Sequence, residues 1–163
     1  MTQPAPRPAD FILTRRHGLS SALIALGQRR RYPRSSCARW SHAGILTGRG
    51  TVVEALTRGV VETPLAAYQD IEHVVVRVDA TPEQRSLAVA FADHAVGRRY
   101  GWVEIASLVV SLLTGTGLSV NVDNQMVCSG LVAECLCRTA AIFPREPSRM
   151  LPADLAAFYE VTG

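Results

Sequence analysis

Apolar and polar positions along the chain sort into short extended runs early and longer helical runs late. Asp10 to Arg15 (DFILTR) reads as a short strand. Leu19 to Gln28 repeats its apolar residues at helical spacing, with Ser20 or Ser21 near its start and Gly27 near its end. Residues 29–39 carry Pro33 and read as a basic loop. Ser41 to Leu46 (SHAGIL) and Val52 to Leu56 (VVEAL) read as strands, and the turn-rich link Thr47-Gly48-Arg49-Gly50-Thr51 makes them a β-hairpin. Val60 to Glu62 adds a short strand, and His73 to Val78 (HVVVRV) is the clearest one, because it is β-branched almost throughout. Thr81-Pro82-Glu83-Gln84 is a helix start: Thr81 caps, Pro82 takes the first helical position and Gln84 completes a capping box. That helix runs to Val96 and stops at Gly97. Helical stretches follow over 102–113 and 128–140, separated by a polar loop over 114–126. Pro144 and Pro147 break the chain, and Pro152 opens a last short helix through Tyr159. The order predicts an α+β fold, an antiparallel sheet or partial barrel packed by helices. Residues 1–9 read as a flexible tail and 10–163 as a single domain.

Length changes this picture little: 163 residues suit one hydrophobic core. The apolar run Val103 to Leu113 is too short to span a bilayer and contains Glu104, so no transmembrane segment is expected. Met1 to Pro8 holds three prolines and no apolar signal core, so the expectation is a cytoplasmic protein, with release or export by other means left open. Charge adds one feature. The net charge is only +3, but all 17 basic residues are arginine, and Arg29, Arg30, Arg31, Arg34 and Arg39 fall within the loop over 29–39. Guanidinium groups bind phosphate bidentately, so the loop is a candidate for an anionic partner, against the alternative of a solvated basic loop. Nothing resembles a nucleic-acid motif, and +3 is weak support for such a partner.

The chain's cysteines are Cys37, Cys128, Cys135 and Cys137. On one helix, Cys128 and Cys135 lie ~10 Å apart along the axis, too far for a disulfide. The set lacks the paired CxxC of a structural zinc site, so no metal is expected and the thiols read as reduced. Cys128 opens an amphipathic helix in Met126-Val127-Cys128-Ser129-Gly130-Leu131-Val132. A helix start offers unpaired N–H groups and partial positive charge, which favour the reactive thiolate. Position alone leaves Cys128 between a nucleophile and a structural cysteine; Cys135 reads as core, Cys137 lies on the opposite face, and Cys37 has no histidine near it in sequence.

Cys128-Ser129-Gly130-Leu131-Val132 resembles the DCSGLV signature of NlpC/P60 cysteine peptidases, with Val127 in place of the aspartate. Gly97-Arg98-Arg99-Tyr100-Gly101-Trp102 resembles the family's G-x-P-Y-x-W segment, with Arg99 in place of the proline. Standard members carry their histidine after the cysteine, whereas His17, His42, His73 and His94 all precede Cys128 here. Asp10–Arg15 followed by Trp40-Ser41-His42-Ala43-Gly44-Ile45 is similar to the opening of the circularly permuted, YiiX-like branch. The resemblance spans residues 10–140. It implies a papain-like fold in which the histidine strand faces the cysteine helix, and hydrolysis or transfer at an amide or ester carbonyl of a peptide, cell-wall or acyl-lipid substrate. It implies no cofactor.

On that resemblance His42 is the base. His73 opens a strand, His94 lies mid-helix, and both read as surface positions; His17 sits among arginines that disfavour its imidazolium. Glu54 is the candidate to orient His42. A hairpin loop with an odd number of residues, such as 47–49, pairs His42 opposite Glu54 with both side chains on one face; an even loop separates them. Glu62 is the fallback. Tyr100 matches the family tyrosine near the nucleophile and is the candidate side-chain donor to an oxyanion; the alternative for it is packing at a helix start. The rival to catalysis is a degenerate member that holds a lipid or peptide between the 102–113 helix and the 114–126 loop without cutting it.

Overall fold

The protein, seen in a computed structural model, is described over residues 5–15, 19–33, 35–100, 125–126 and 128–161. Five strands form one antiparallel sheet: Phe11–Thr14 (β1), His42–Leu46 (β2), Thr51–Leu56 (β3), Gly59–Pro64 (β4) and His73–Val76 (β5), in the order β4-β3-β2-β1-β5. The local hairpins β2–β3 and β3–β4 build one side, and β1 closes it against β5. A short parallel pair, Arg99–Tyr100 (β6) with Gln125–Met126 (β7), continues from the start of β4, where Val60 and the 97–98 backbone exchange hydrogen bonds of 2.8 and 2.9 Å. Among the described residues the helices are Leu19–Arg31 (α1), Pro82–Ala95 (α2), Cys128–Leu136 (α3) and Pro152–Phe158 (α4). The fold is α+β, as the element order predicts. The 102–113 helix and residues 114–124 of the expected 114–126 loop lie outside the described residues, as does Trp102, while Gln125–Met126 of that loop is β7.

Alternation divides the sheet into two faces. Phe11, Leu13, Ala43, Ile45, Val53 and Ala55 join the main core with α2 and α3. Ile12, Leu46 and Val52 point the other way, under Tyr68. Helix α3 is buried all round except at Glu134, as expected of a helix packed on β2 and β3, on α2 and on the 147–149 turn. The capping box at Thr81 and Gln84 forms. Helix α3 ends at Leu136, short of the expected 140, because a 3-10 turn over Cys137–Thr139 and a left-handed Ala140 (φ 63°) turn the chain away.

Two further corrections have physical causes. Residues 29–31 are the last turn of α1, not a loop, and Ser36–Arg39 is a 3-10 turn. Gln28 holds the helix past Gly27: its buried amide donates to Ala38 O (3.2 Å) and Trp40 O (2.8 Å) and accepts from Ala153 N–H (2.8 Å). Arg31 and Tyr32 then bind Asp154, at 2.9 and 2.7 Å, so α1 and α4 are tied by side chains on both. Of the expected tail, residues 7–9 belong to the fold: Ala9 is buried, and its N–H donates to Leu46 O at 2.8 Å. The ring of Tyr159, just past α4, meets that of Phe11 in β1 edge-on at 5.0 Å.

Asp10 explains why the strands start and stop where they do. Its buried carboxylate accepts from Arg7 N–H (2.9 Å), Val78 N–H (3.2 Å) and Arg85 Nη1 (2.9 Å). Arg85 also donates to Val78 O, Ala80 O and Pro8 O. One ion pair thus joins the start of β1, the exit of β5 and the first turn of α2. Removing one partner strands the other charge without water. Arg85→Met is therefore expected to lower the unfolding free energy by about 3 kcal/mol, and adding Asp10→Asn to it by much less than Asp10→Asn alone. Urea titrations of the three variants measure this; additive losses would contradict it.

Candidate active site

The β2–β3 turn sets the geometry. Thr47 N–H donates to Thr51 O (3.1 Å), and Gly48 and Gly50 adopt the positive φ values, 81° and 76°, that the tight turn demands. Leu46 pairs with Val52 and Gly44 with Glu54. The loop is odd, as needed to put His42 and Glu54 on one face, but it spans 48–50 rather than 47–49. Glu54 therefore faces Gly44 directly and reaches His42 diagonally, not straight across the ladder. Gly44 makes the direct position empty: a β-carbon there would fall 2.5 Å from Val52 Cγ1 and 3.3 Å from Glu54 Cβ.

His42 Nε2 lies 2.5 Å from Glu54 Oε2, and Glu54 is completely buried. Thr63 on β4 and the buried Tyr68, in the 3-10 turn Leu65–Tyr68, also lie near the Glu54 carboxylate and favour its ionised form. With Nε2 engaged, Nδ1 is the ring nitrogen left for the thiol. Cys128, the first residue of α3, is buried beside the His42 imidazole, and the backbone N–H groups of Ala43 and Ser129 lie close enough to its sulfur to favour the thiolate. Ser129 Oγ donates to Met150 O at 2.5 Å, which anchors the start of the helix. Cysteine, imidazole and carboxylate form one continuous chain of contacts.

Electrostatics follow from the burial of all three. Burial by itself disfavours charge on each, and the partners reverse that. Burial would lower the His42 pKa, but the neighbouring thiolate and the Glu54 carboxylate raise it to about 9. Burial would raise Cys128, but the His42 imidazolium and the two backbone N–H groups bring it below the ordinary thiol range. Burial would raise Glu54, but His42, Thr63 and Tyr68 pull it down to about 2. Together the three shifts favour a thiolate–imidazolium–carboxylate array.

Other candidates lie elsewhere. Glu62, the fallback, is exposed and pairs with Arg49 (3.0 Å) and the Thr51 hydroxyl. His73 and His94 are exposed, as expected, and His17 lies outside the described residues. Cys135 is fully buried, with its thiol pushed well up by burial, and Cys137 is exposed. The Tyr100 backbone pairs with Met126; its side chain is outside what the structure describes. Thr63 and Tyr68 are site residues that the sequence reading missed. Alternation in β4 is the faint signal for Thr63, while nothing local marks Tyr68.

No family model matches the chain, and no curated protein matches it. Among solved structures it is similar to the crystal structure of the metalloprotein YiiX from Escherichia coli O157:H7, DUF1105. The match has a TM-score of 0.60 and 22% identity, and covers 84% of this chain and 68% of that one. The chain has a YiiX-like fold. That neighbour is described as a metalloprotein, but the donor set here does not fit a metal centre. Among the described residues no three His, Cys, Asp or Glu side chains gather around one point, and both His42 nitrogens are engaged by Glu54 and Cys128. Also among the described residues, no helix of this YiiX-like chain is long and apolar enough to cross a membrane.

The array predicts a specific pH response. Cys128 is lowered, so it is alkylated by iodoacetamide at pH values where Cys137, raised by burial, is still protonated. Glu54→Gln removes the charge that supports the imidazolium, and the rate at Cys128 near pH 6 should fall about tenfold, equivalent to ~1.4 kcal/mol. Site-resolved mass spectrometry measures both; coincident profiles for Cys128 and Cys137 would contradict the array. Glu54 also links to stability. A depressed carboxylate contributes stability that is present above its ordinary value of 4.5 and is lost as pH falls toward about 2. Acid unfolding of Glu54→Gln should therefore be shallower than that of the unsubstituted protein.

Proposed function

We propose that this chain is a cysteine hydrolase of the circularly permuted NlpC/P60, papain-like type, cleaving an amide or ester bond through a thioester. The observation that carries this reading is the contact of Cys128, at a helix start, with a buried His42 that Glu54 holds by its other nitrogen. An inert cysteine needs neither partner. The permuted assignment rests on chain order: the histidine strand precedes the cysteine helix, and the YiiX-like fold brings them together.

The Cys128 thiolate attacks the carbonyl carbon, forming a carbon–sulfur bond while the carbonyl electrons move to oxygen. Backbone N–H groups at the start of α3, with the Tyr100 hydroxyl as candidate partner, stabilise that oxyanion. The carbon–heteroatom bond then breaks, and the His42 imidazolium gives its Nδ1 proton to the leaving amine or alcohol. Neutral His42 next takes a proton from water, which attacks the thioester, and the acid leaves with the thiolate restored. Glu54 stays ionised throughout; it holds the ring in place and stabilises the imidazolium. Substrates of this class are peptides, cell-wall peptides or acyl lipids.

Cys128→Ala and His42→Ala should each lower turnover of an activated acyl ester or amide by at least about 1,000-fold, with unchanged circular dichroism. The rate should follow a bell in pH, with an acid limb from Cys128 below the ordinary thiol range and an alkaline limb from His42 near 9. A substrate-derived acyl group on Cys128 in quenched reactions is the expected intermediate. Full activity in either alanine variant would defeat the reading.

A further inference from the structure

Beside His42 the surface opens into a cavity of about 550 Å³ whose walls include Arg15, Arg29, Tyr32, Ser35, Arg39 and Ser41. Among the described residues that line it there is no Asp or Glu. Three arginines from three places in the chain line it: one after the end of β1, one in the last turn of α1 and one in the 36–39 turn. Such convergence costs repulsion unless an anion is shared.

The chain supplies part of that anion. Glu72 accepts from Arg15 Nη1 at 3.4 Å and also from Arg39. One carboxylate thus serves two arginines, while Arg29 has no ion-pair partner among the described residues. Three positive charges against one negative leave an excess of two. The Arg39 guanidinium lies 5.3 Å over the Trp40 ring, and Arg29 stands on a helix whose backbone Gln28 anchors. Ser35 Oγ accepts from Cys37 N–H, so its own O–H remains to donate. The Tyr32 hydroxyl is committed to Asp154, so its ring acts as wall rather than donor.

We infer that this cavity binds a phosphate monoester and that, given the hydrolase reading above, it holds the phosphate-bearing end of the substrate. A carboxylate has two oxygens and one charge, which one bidentate arginine satisfies. A phosphate monoester carries a charge of about −1.5 to −2 and three terminal oxygens, which match the excess of two and the three guanidiniums. Placement supports the same reading. Ser41 is a nearly buried part of the cavity wall and directly precedes His42. The cavity wall therefore runs directly into the strand that carries the base.

The test uses the full chain with Cys128→Ala, which separates binding from turnover. Glycerol phosphate is titrated by calorimetry, and vesicles whose only anionic headgroup is a phosphate monoester are compared with neutral vesicles by sedimentation. Arg29→Glu should weaken binding at least tenfold in whichever arm binds, and Arg58→Glu, the same charge change on an exposed turn outside the cavity, by less than twofold. Binding of the soluble ester indicates a soluble substrate; binding of vesicles alone indicates a membrane-borne one. No binding in either arm, or equal losses in the two variants, overturns the inference. With Cys128 restored, an acyl ester bearing a phosphate should be cleaved at least tenfold faster than its neutral analogue. Equal rates with both esters would remove the phosphate site and leave the hydrolase standing. Phosphate binding with no turnover of any ester would do the reverse.

Discussion

A carboxylate without access to water constrains much of this molecule. Glu54 sits fully buried on a central strand, where an ionised group survives only with its oxygens satisfied. His42 binds one of them, and Thr63 and Tyr68 flank the carboxylate and favour its charge. The contact with His42 matters most, because it makes the imidazole a cation that a second anion can approach. Cys128 is that second anion. The site is a short relay of buried charges in which each member is stabilised by the next, with the carboxylate the most deeply buried and the sulfur at the helix start.

The frame around the relay is built to keep those elements in register. Helix α3 is apolar on nearly every side, so its position is set by packing and it carries its first residue to the start of β2. The Asp10–Arg85 pair fixes where β1 begins and β5 ends, and Gln28 and Asp154 lash the outer helices together. None of these groups touches the reacting atoms. Each closes a buried hydrogen-bonding demand that would otherwise let a strand slide, and a slide of one residue would turn Glu54 to the opposite face.

What could be read from the sequence was local. The hairpin at Gly48 and Gly50, the capping box at Thr81 and the cysteine at a helix start all declare themselves within a few residues, because turn and cap chemistry is short-range. The shared face of His42 and Glu54 followed from parity alone, and parity survived the shift of the loop from 47–49 to 48–50. Directness of pairing did not, because it depends on which residues the turn absorbs. The helical end of α1 was misread as loop because the group that holds it, Gln28, finds its partners ten and more residues away. Tyr68 was missed for the same reason: only the folded sheet brings a 3-10 turn beneath Glu54.

The edge-on contact of Phe11 with Tyr159 has a topological meaning. It places the first strand and the last helix of the described fold against one another, as if the molecule were a ring opened at that seam. Sealing the seam and cutting instead ahead of α3 would reverse the order in which Cys128 and His42 are made, while leaving each of them where it stands. The same three-dimensional site can thus be written along a chain in either order, and a reader who expects the cysteine first would overlook it here.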